Sequence, residues 1–439
     1  MTISPYSGIH SHGQAIKYLS DESQWANLLS VEVALSTALL DLGLISSQSL
    51  AAIRKVAKIE NFDLASLAQQ SKSSGTVISA LVSELSKLAE AESAKSGDYI
   101  HFGATSQDIV DSALSITLKS VIEILQSDLQ IIGDSLAKQI SAHGSELALS
   151  RTLLQPALPS TFGANVSAWL TLLTTTKSKL KAALATCAVQ YGGAVGTNAV
   201  NAKAAERIRE VISAELNLAN AEPWHADRSR ILDIADALGH CAVTSAKIAT
   251  DLILLSQAEV AEISFTGQTG GSSTMAHKEN PIAAISALSA AIRIPGLVMT
   301  VHQSAIVELQ RGYGSWQAEA VTVIEILKEL SASIAWLKDA VVAAQVNSEA
   351  MASNLRNVGS KILSERVVTE LVPALGRIPA QKLITEISKL DGDFAANLSA
   401  NSTVSSQLSA QQIADLLNLE NYLGNAKTIT ASALTQWEA

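Results

Sequence analysis

Beyond Asp111 the apolar positions settle into one period. Leu114, Leu118, Val121, Leu125, Leu129, Ile132, Leu136 and Ile140 follow in steps of three and four, the spacing of one long amphipathic helix with an apolar stripe. A second long helix is predicted from near Ala164 towards Leu184, and a third over roughly Ile231 to Ile263. A fourth starts at Pro281, with Asn280 as its cap and a kink at Pro295. The fifth carries Val323, Leu327, Leu330, Ile334, Leu337 and Val341. Five such stripes describe a bundle, and they exceed what a single small bundle would bury, so part of them is expected to face other subunits.

The flanking segments are shorter. Asp21 to Leu42 has helical spacing through Trp25, Leu28, Leu29, Val31, Ala34, Leu35 and Leu39, with Asp41-Leu42-Gly43 as a stop. From there to Lys95 the pieces are interrupted by Ser-rich turns such as Ser71-Lys72-Ser73-Ser74-Gly75. After Met351, Pro373, Gly376 and Pro379 break the pattern again. The expected organisation is all-α in three parts: a helical N-terminal domain over 1–111, a long-helix domain over 112–354 and a small helical domain over 355–439.

Composition agrees with helices. Hydrophobic residues make up 48% of the 439 positions and aromatics only 4%, whereas strands draw on aromatic and β-branched side chains. The net charge of -10 argues against a nucleic-acid partner, and an anionic ligand needs a locally basic pocket. Cys187 and Cys241 lack metal spacing and read as buried free thiols in a reducing, cytoplasmic setting. Met1 to Gln14 has no signal-peptide pattern. The uncharged run Ala182 to Asn201 is broken by Gly192, Gly193 and Gly196 and makes a poor membrane span.

Polar chemistry is concentrated where the stripes pause. Gly270 to Pro281 sets Ser272, Ser273, Met275, His277, Lys278 and Asn280 on a glycine-led loop. A cation, hydroxyls and the amides of a helix start together favour a carboxylate or a developing enediolate, although glycine and serine also fill plain helix connections. His101-Phe102-Gly103-Ala104-Thr105-Ser106-Gln107-Asp108 could start the first long helix. A capping box accounts for Thr105, Ser106 and Asp108 but not for His101 or Gly103. Arg151 to Pro159 is a proline-broken lead into the second long helix, in which Arg151 and Gln155 are candidate carboxylate contacts. Arg311, in Gln310 to Gln317, suits an anionic substrate or a plain surface. His225, beside Trp224 and Arg228, is divided between a catalytic and a structural reading. His10, His12, His143, His240 and His302 have no patterned neighbours. No cluster has metal-ligand spacing, and no phosphate-cradling glycine loop is present.

Together these stretches resemble the fumarase/aspartase superfamily. Its signature, Gly-Ser-Ser-x-Met-Pro-x-Lys-x-Asn-Pro, is matched by Gly271 to Pro281 with Ala276 in place of the proline. His277 before the lysine is similar to the branch that holds adenylosuccinate lyases and 3-carboxy-cis,cis-muconate cycloisomerases. His101 to Asp108, Arg151 to Gln155, Trp224-His225 and Arg311 through Trp316 to Glu319 look like the cycloisomerases. Leu309-Gln310 stand where that family often has His-Glu, Glu279 replaces a common arginine, and Ala320 replaces a tryptophan.

The resemblance implies a homotetramer with a twenty-helix core, active sites shared among three subunits, and no metal or organic cofactor. It makes Ser272 the catalytic base, with Lys278 and Asn280 on a substrate carboxylate. Thr105 and Ser106 would hold a carboxylate from a second subunit, and Gln155 falls in the region supplied by a third. Ser273, Met275, His277, Arg151 and Arg311 are the remaining candidate contacts of a small tricarboxylate. Leu153 occupies the place of the lyases' general-acid histidine in a Thr-His-x-Gln-like motif. His101 and His225 are the histidines that could stand in for it.

Overall fold

The computed structural model describes residues 7–267, 270–271, 274–275 and 277–438. It is mostly helical, and the five predicted long helices are Ser106–His143, Phe162–Thr186, Ser229–Leu255, Ile282–Ser304 and Ser315–Ala343. Their stripes are buried as the spacing requires: Leu118, Val121, Leu125, Leu129, Ile132 and Leu136 on the first, and Leu327, Leu330, Ile334 and Leu337 on the last. The Asp21–Asp41 helix opens with the Ser20 hydroxyl accepting from the Ser23 amide and with Asp21 and Glu22 in its first turn. It stops where expected, with Gly43 left-handed at φ +71° and the Leu44 amide donating to the Leu39 carbonyl. Shorter helices follow at Ser47–Val56, Leu64–Ser74 and Ile78–Glu92.

Three expectations are corrected. The third long helix ends at Leu255, not Ile263, because β3 (Ile263–Phe265) leaves to pair antiparallel with β6 (Ala344–Val346). The fourth begins at Ile282, and Asn280 is not its cap: it lies in the two-residue strand β5 (Glu279–Asn280), and its side-chain amide donates to the Gly270 carbonyl at 2.9 Å. Pro295 sits inside that helix without ending it. Finally, the lead into the second long helix is a β-hairpin, β1 (Leu147–Thr152) against β2 (Gln155–Thr161), closed by Thr152 opposite Gln155. Its two turn residues are Leu153 and Leu154, both left-handed at φ +52° and +62°. A turn of that shape normally takes Asn-Gly or Asp-Gly, so the sequence carried no hairpin signal there.

The chain forms two compact units, each built from three separated segments: 1–130, 175–247 and 285–338 in the first, and 131–174, 248–284 and 339–439 in the second. These cuts fall inside long helices, whereas the three-part division follows the chain. Within 355–439 an apolar cluster of its own gathers Val367, Leu371, Ile384, Phe394, Leu398 and Val404. Two helices, Ser229–Leu255 and Ile282–Ser304, are long and apolar enough to cross a membrane, with 44% and 39% of their most apolar stretch buried inside the chain. Cys187 and Cys241 are both buried and free, and burial pushes both thiols up to about 12.

The C-terminal helix, Ala426–Glu438, is anchored in the second unit by Trp437, whose indole N–H donates to Asp134 at 2.9 Å. Gly133 makes room for that ring, since a Cβ there would stand 2.0 Å from it. Gly133→Ala should therefore cost about 1–3 kcal/mol by overpacking, lower the melting temperature and shift tryptophan emission. An unchanged melting temperature would show that the indole is not seated against this glycine.

Candidate active site

In the first unit the polar groups converge on the start of the Ser106–His143 helix. Asp108, in its first turn, is buried and collects four partners. It accepts from the backbone amides of Thr105, Gly192 and Gly193, each at 2.9 Å, and His225 Nε2 lies 2.7 Å from its Oδ1. The Thr105 contact is the return half of a capping box, while the Asp108 amide donates to the Thr105 carbonyl at 3.0 Å rather than to its hydroxyl. The other three contacts do something a cap does not: they draw the Tyr191–Gly193 strip and the Trp224–His225 strip onto the helix start. Gly103 is required by the same closeness. It is left-handed at φ +76°, and a Cβ there would lie 2.3 Å from Asn201 Nδ2 and 3.0 Å from the Tyr191 hydroxyl.

The cap leaves the Thr105 hydroxyl available, and Arg311 takes it. Arg311 donates to Thr105 Oγ1 at 2.8 Å, to Gln107 Oε1 at 3.1 Å and to the Ala194 carbonyl at 3.0 Å. Because the guanidinium occupies a lone pair of Oγ1, the hydroxyl proton is directed elsewhere, as a donor to a carboxylate requires. Gln107 in turn donates to the carbonyl of His225 at 3.0 Å. The structure thus brings Thr105, His225 and Arg311 into one network. His225 is enclosed, and its Nδ1 has no hydrogen-bond partner among the described residues.

His101 sits just before this helix with φ +62°. Its Nδ1 is 2.7 Å from Oε1 of Glu32, a fully buried carboxylate on the Asp21–Asp41 helix. Burial works against charge on the imidazole, but the Glu32 hydrogen bond and the charges of Glu32 and Asp108 outweigh it and raise the His101 pKa above the ordinary histidine value.

One turn along the long helix from Asp108 lies a buried ionic knot. Arg228 grips Asp111 through both terminal nitrogens, at 2.8 and 3.1 Å, and bonds Glu319 through Nε and Nη2. The Trp316 indole donates to Asp111 at 3.1 Å, and the Arg228 guanidinium lies over the Trp224 ring at 4.8 Å from its centroid. Burial opposes the charge on Arg228, yet its two carboxylate partners raise its pKa. Burial raises that of Glu319 despite its bond to Arg228.

The other sequence candidates lie in the second unit. Arg151 meets a carboxylate of its own chain, forking onto Glu262 at 2.6 and 3.1 Å, and Asn354 adds a bond of 2.8 Å to the same Glu262. Gln155 is exposed beside the hairpin turn. The ends of the glycine-led loop are zipped by β4 (Gly270–Gly271) against β5, with Met275, His277 and Lys278 exposed between them. Ser272 and Ser273 lie outside the described residues. Ser106 begins the first long helix, partly exposed.

A family model described as lyase matches residues 2–296, two thirds of the chain. This chain belongs to the fumarase/aspartase superfamily of lyases. A second model, described as adenylosuccinate lyase C-terminus, matches residues 361–433 of this superfamily member. The chain is 33% identical to the 3-carboxy-cis,cis-muconate cycloisomerase of Bradyrhizobium diazoefficiens over 426 residues, covering 95% of this chain and 94% of the relative. It is 31% identical to the nitrosuccinate lyase of Streptomyces davaonensis, over 95% of this chain and 91% of that one. The crystal structure of the 3-carboxy-cis,cis-muconate lactonizing enzyme from Pseudomonas putida superposes with a TM-score of 0.90 at 28% identity, covering 99% of both chains.

For this superfamily member, sequence reasoning missed Glu32, Gln107 as a bridge, Asp111, the Tyr191–Gly196 strip and Glu319. Most of these are polar residues inside otherwise apolar stripes. Glu32 stands between Val31 and Val33, and Asp111 and Ser112 precede Ala113 and Leu114. A charge on the buried side of a helical stripe is the signal that could have found them, since such a group must be paired. Removing Arg228 leaves the Asp111 and Glu319 carboxylates buried side by side without a counter-charge, so Arg228→Ala should cost about 3–5 kcal/mol, with Arg228→Lys costing less. Urea unfolding of both variants measures this. Equal stability of Arg228→Ala and the parent would mean that the knot contributes no net stability.

Proposed function

We propose that this chain is a cycloisomerase that lactonises 3-carboxy-cis,cis-muconate to 4-carboxymuconolactone, a ring-cleavage step in protocatechuate breakdown, in the cytoplasm and without a metal or organic cofactor. The observation that carries this reading is Leu153. An amine leaving group needs a proton from a general acid, and leucine at the acid's place, in an exposed hairpin turn, donates nothing. A carboxylate leaves as a stable anion, because its conjugate acid has a pKa of about 4. A lactone-forming enzyme therefore tolerates Leu153 where an adenylosuccinate lyase would not. The same logic admits one further substrate class. Nitrite is also a stable leaving anion, and a nitrosuccinate lyase is 31% identical to this chain, so nitrosuccinate is the second reading.

In the proposed reaction one substrate carboxylate adds to a double bond, an enediolate forms on the neighbouring carboxylate, and the α-carbon takes a proton from Ser272. In reverse, the Ser272 alkoxide removes that proton. Lys278 and backbone amides stabilise the alkoxide and the enediolate. Thr105, with its lone pair held by Arg311, and His101 hold a second carboxylate at the helix start. His225 positions that start through Asp108.

The shared-site homotetramer is part of the same proposal, and two features support it. On the Ile282–Ser304 helix, Ile285, Ile292 and Met299 are exposed at intervals of seven residues, the spacing of a helix-to-helix seam. The hairpin turn presents Leu153 and Leu154, 96% and 69% exposed, in a backbone conformation that costs leucine about 1–2 kcal/mol. Exposed, strained leucines are expected where a turn docks elsewhere. A catalytically inactive helical scaffold is disfavoured because Ser272, Lys278 and Asn280 are all present.

The purified protein should bleach the ultraviolet absorbance of the tricarboxylate and leave adenylosuccinate intact. Nitrite release from nitrosuccinate without any effect on the muconate would move the assignment to the second reading. Efficient adenylosuccinate cleavage would overturn the leaving-group argument altogether. Ser272→Ala should abolish turnover with the oligomer intact on size-exclusion chromatography, while Lys278→Met should lower both affinity and turnover. Near-normal turnover in Ser272→Ala would remove serine as the base.

A further inference from the structure

Glu32 is a carboxylate without an obvious reason to be where it is. It lies in the middle of the Asp21–Asp41 helix, on the stripe that buries Val31, Leu35 and Leu39, and is 0% exposed. A buried carboxylate is costly unless it is paired. One oxygen, Oε1, has a single partner, His101 Nδ1 at 2.7 Å, and Oε2 has none among the described residues. An apolar side chain would pack this position at lower cost. What the carboxylate provides instead is a fixed histidine. An ionised carboxylate can only accept, so Nδ1 must carry a proton, and the hydrogen bond at one ring nitrogen decides the role of the other.

The histidine being fixed is unusual in its own right. His101 is left-handed, a conformation in which a non-glycine residue persists only when its surroundings hold it. Its carbonyl accepts from the Ala104 amide at 3.2 Å. Its side chain remains 20% exposed, and Nε2 has no partner among the described residues. The free edge of the ring thus belongs to the lead-in of the Ser106–His143 helix, four residues before Thr105.

We infer that Glu32 is the positioning residue of the carboxylate site: it locks His101 through Nδ1 so that Nε2–H is presented as a charged donor to a substrate carboxylate. This deepens the function proposed above and rests on its reading of His101. The groups that set the charge are few. Glu32 faces the ring from the Asp21–Asp41 helix, and Asp108, shared with His225, acts on it from the long helix. Tyr191, which the same Asp108 influences, has its phenol pKa raised by burial and stays neutral. Both carboxylates favour the imidazolium, and burial opposes it.

The sign follows. A raised histidine pKa keeps the cation present at low and neutral pH and loses it as pH rises through the raised value. Removing Glu32's charge leaves burial opposed by Asp108 alone, so in Glu32→Gln the cation is lost at a lower pH. The experiment is a titration of histidine ring resonances in the whole protein, with the His101 signal identified by its disappearance in His101→Gln. In parallel, kcat/KM is measured against pH for the parent and Glu32→Gln.

The expected result is that His101 titrates above the ordinary histidine value in the parent and lower in Glu32→Gln. The alkaline limb of kcat/KM should move down with it. At mildly alkaline pH the variant should lose about ten- to a hundredfold, the worth of a hydrogen bond to a charged group, and much less at acidic pH. A uniform loss at every pH with the His101 titration unmoved would make Glu32 merely structural and overturn the inference. If Glu32→Gln does not fold, the parent alone decides, because a His101 that titrates at or below the ordinary value contradicts a lock built on Glu32. If the protein proves inactive on the tricarboxylate, the function fails, while the titration still reports whether Glu32 holds His101 charged.

Discussion

The carboxylate of Asp108 is the point through which the rest of the site is organised. One side chain satisfies a backbone amide at the start of a 38-residue helix and two more on the Gly192–Gly193 strip, and it holds the ring of His225. Each of these elements would otherwise carry a buried donor with nothing to accept from it. Asp108 also sits where the helix dipole favours a negative charge, so the group that ties three chain segments together needs no countercharge beyond those donors. Thr105 is freed from capping through its side chain, and Arg311 can then hold it by a lone pair.

This arrangement separates two uses of charge that are often merged. Arg228 and Arg151 are spent on carboxylates of their own chain, Asp111 with Glu319 and Glu262, and they make the scaffold rigid. In the function proposed above, the groups left to meet a substrate are hydroxyls, amides, an imidazole and the exposed Lys278. With a net charge of -10, a binding site for a polyanion cannot depend on bulk attraction and must rely on donors fixed in place. That is consistent with how much of the buried polar inventory around His101 and Thr105 serves orientation.

The long helices were legible because periodicity records burial directly, and the stripes read on the first and fifth became buried faces. Their ends were less so. Ile263 continues the apolar run but pairs with Val346 across 83 residues, and no local signal announces a partner so distant. The hairpin at Leu153 was hidden because leucine is among the residues least suited to a left-handed turn. At the site, the motif residues Thr105, His225 and Arg311 did come together. The charges that brace the neighbouring groups, Glu32 on His101 and Asp111 with Glu319 on Arg228, were invisible because each looks like an interruption of a stripe until its partner is known. His225, balanced between two readings in the sequence, is enclosed and engaged with Asp108.

The discontinuous make-up of the two compact units bears on how the chain is made. The first unit needs residues 285–338 before its three segments are complete, so on the ribosome the apolar stripe of the first long helix has no finished core to enter until most of the protein has emerged. At typical synthesis rates that interval lasts on the order of tens of seconds, far longer than a helix needs to form. Any helices the nascent chain forms in that interval have their apolar faces bare and lack the packing that supplies most of their stability. Its yield in a cell should depend on what shields those faces, more than on the stability of the finished protein.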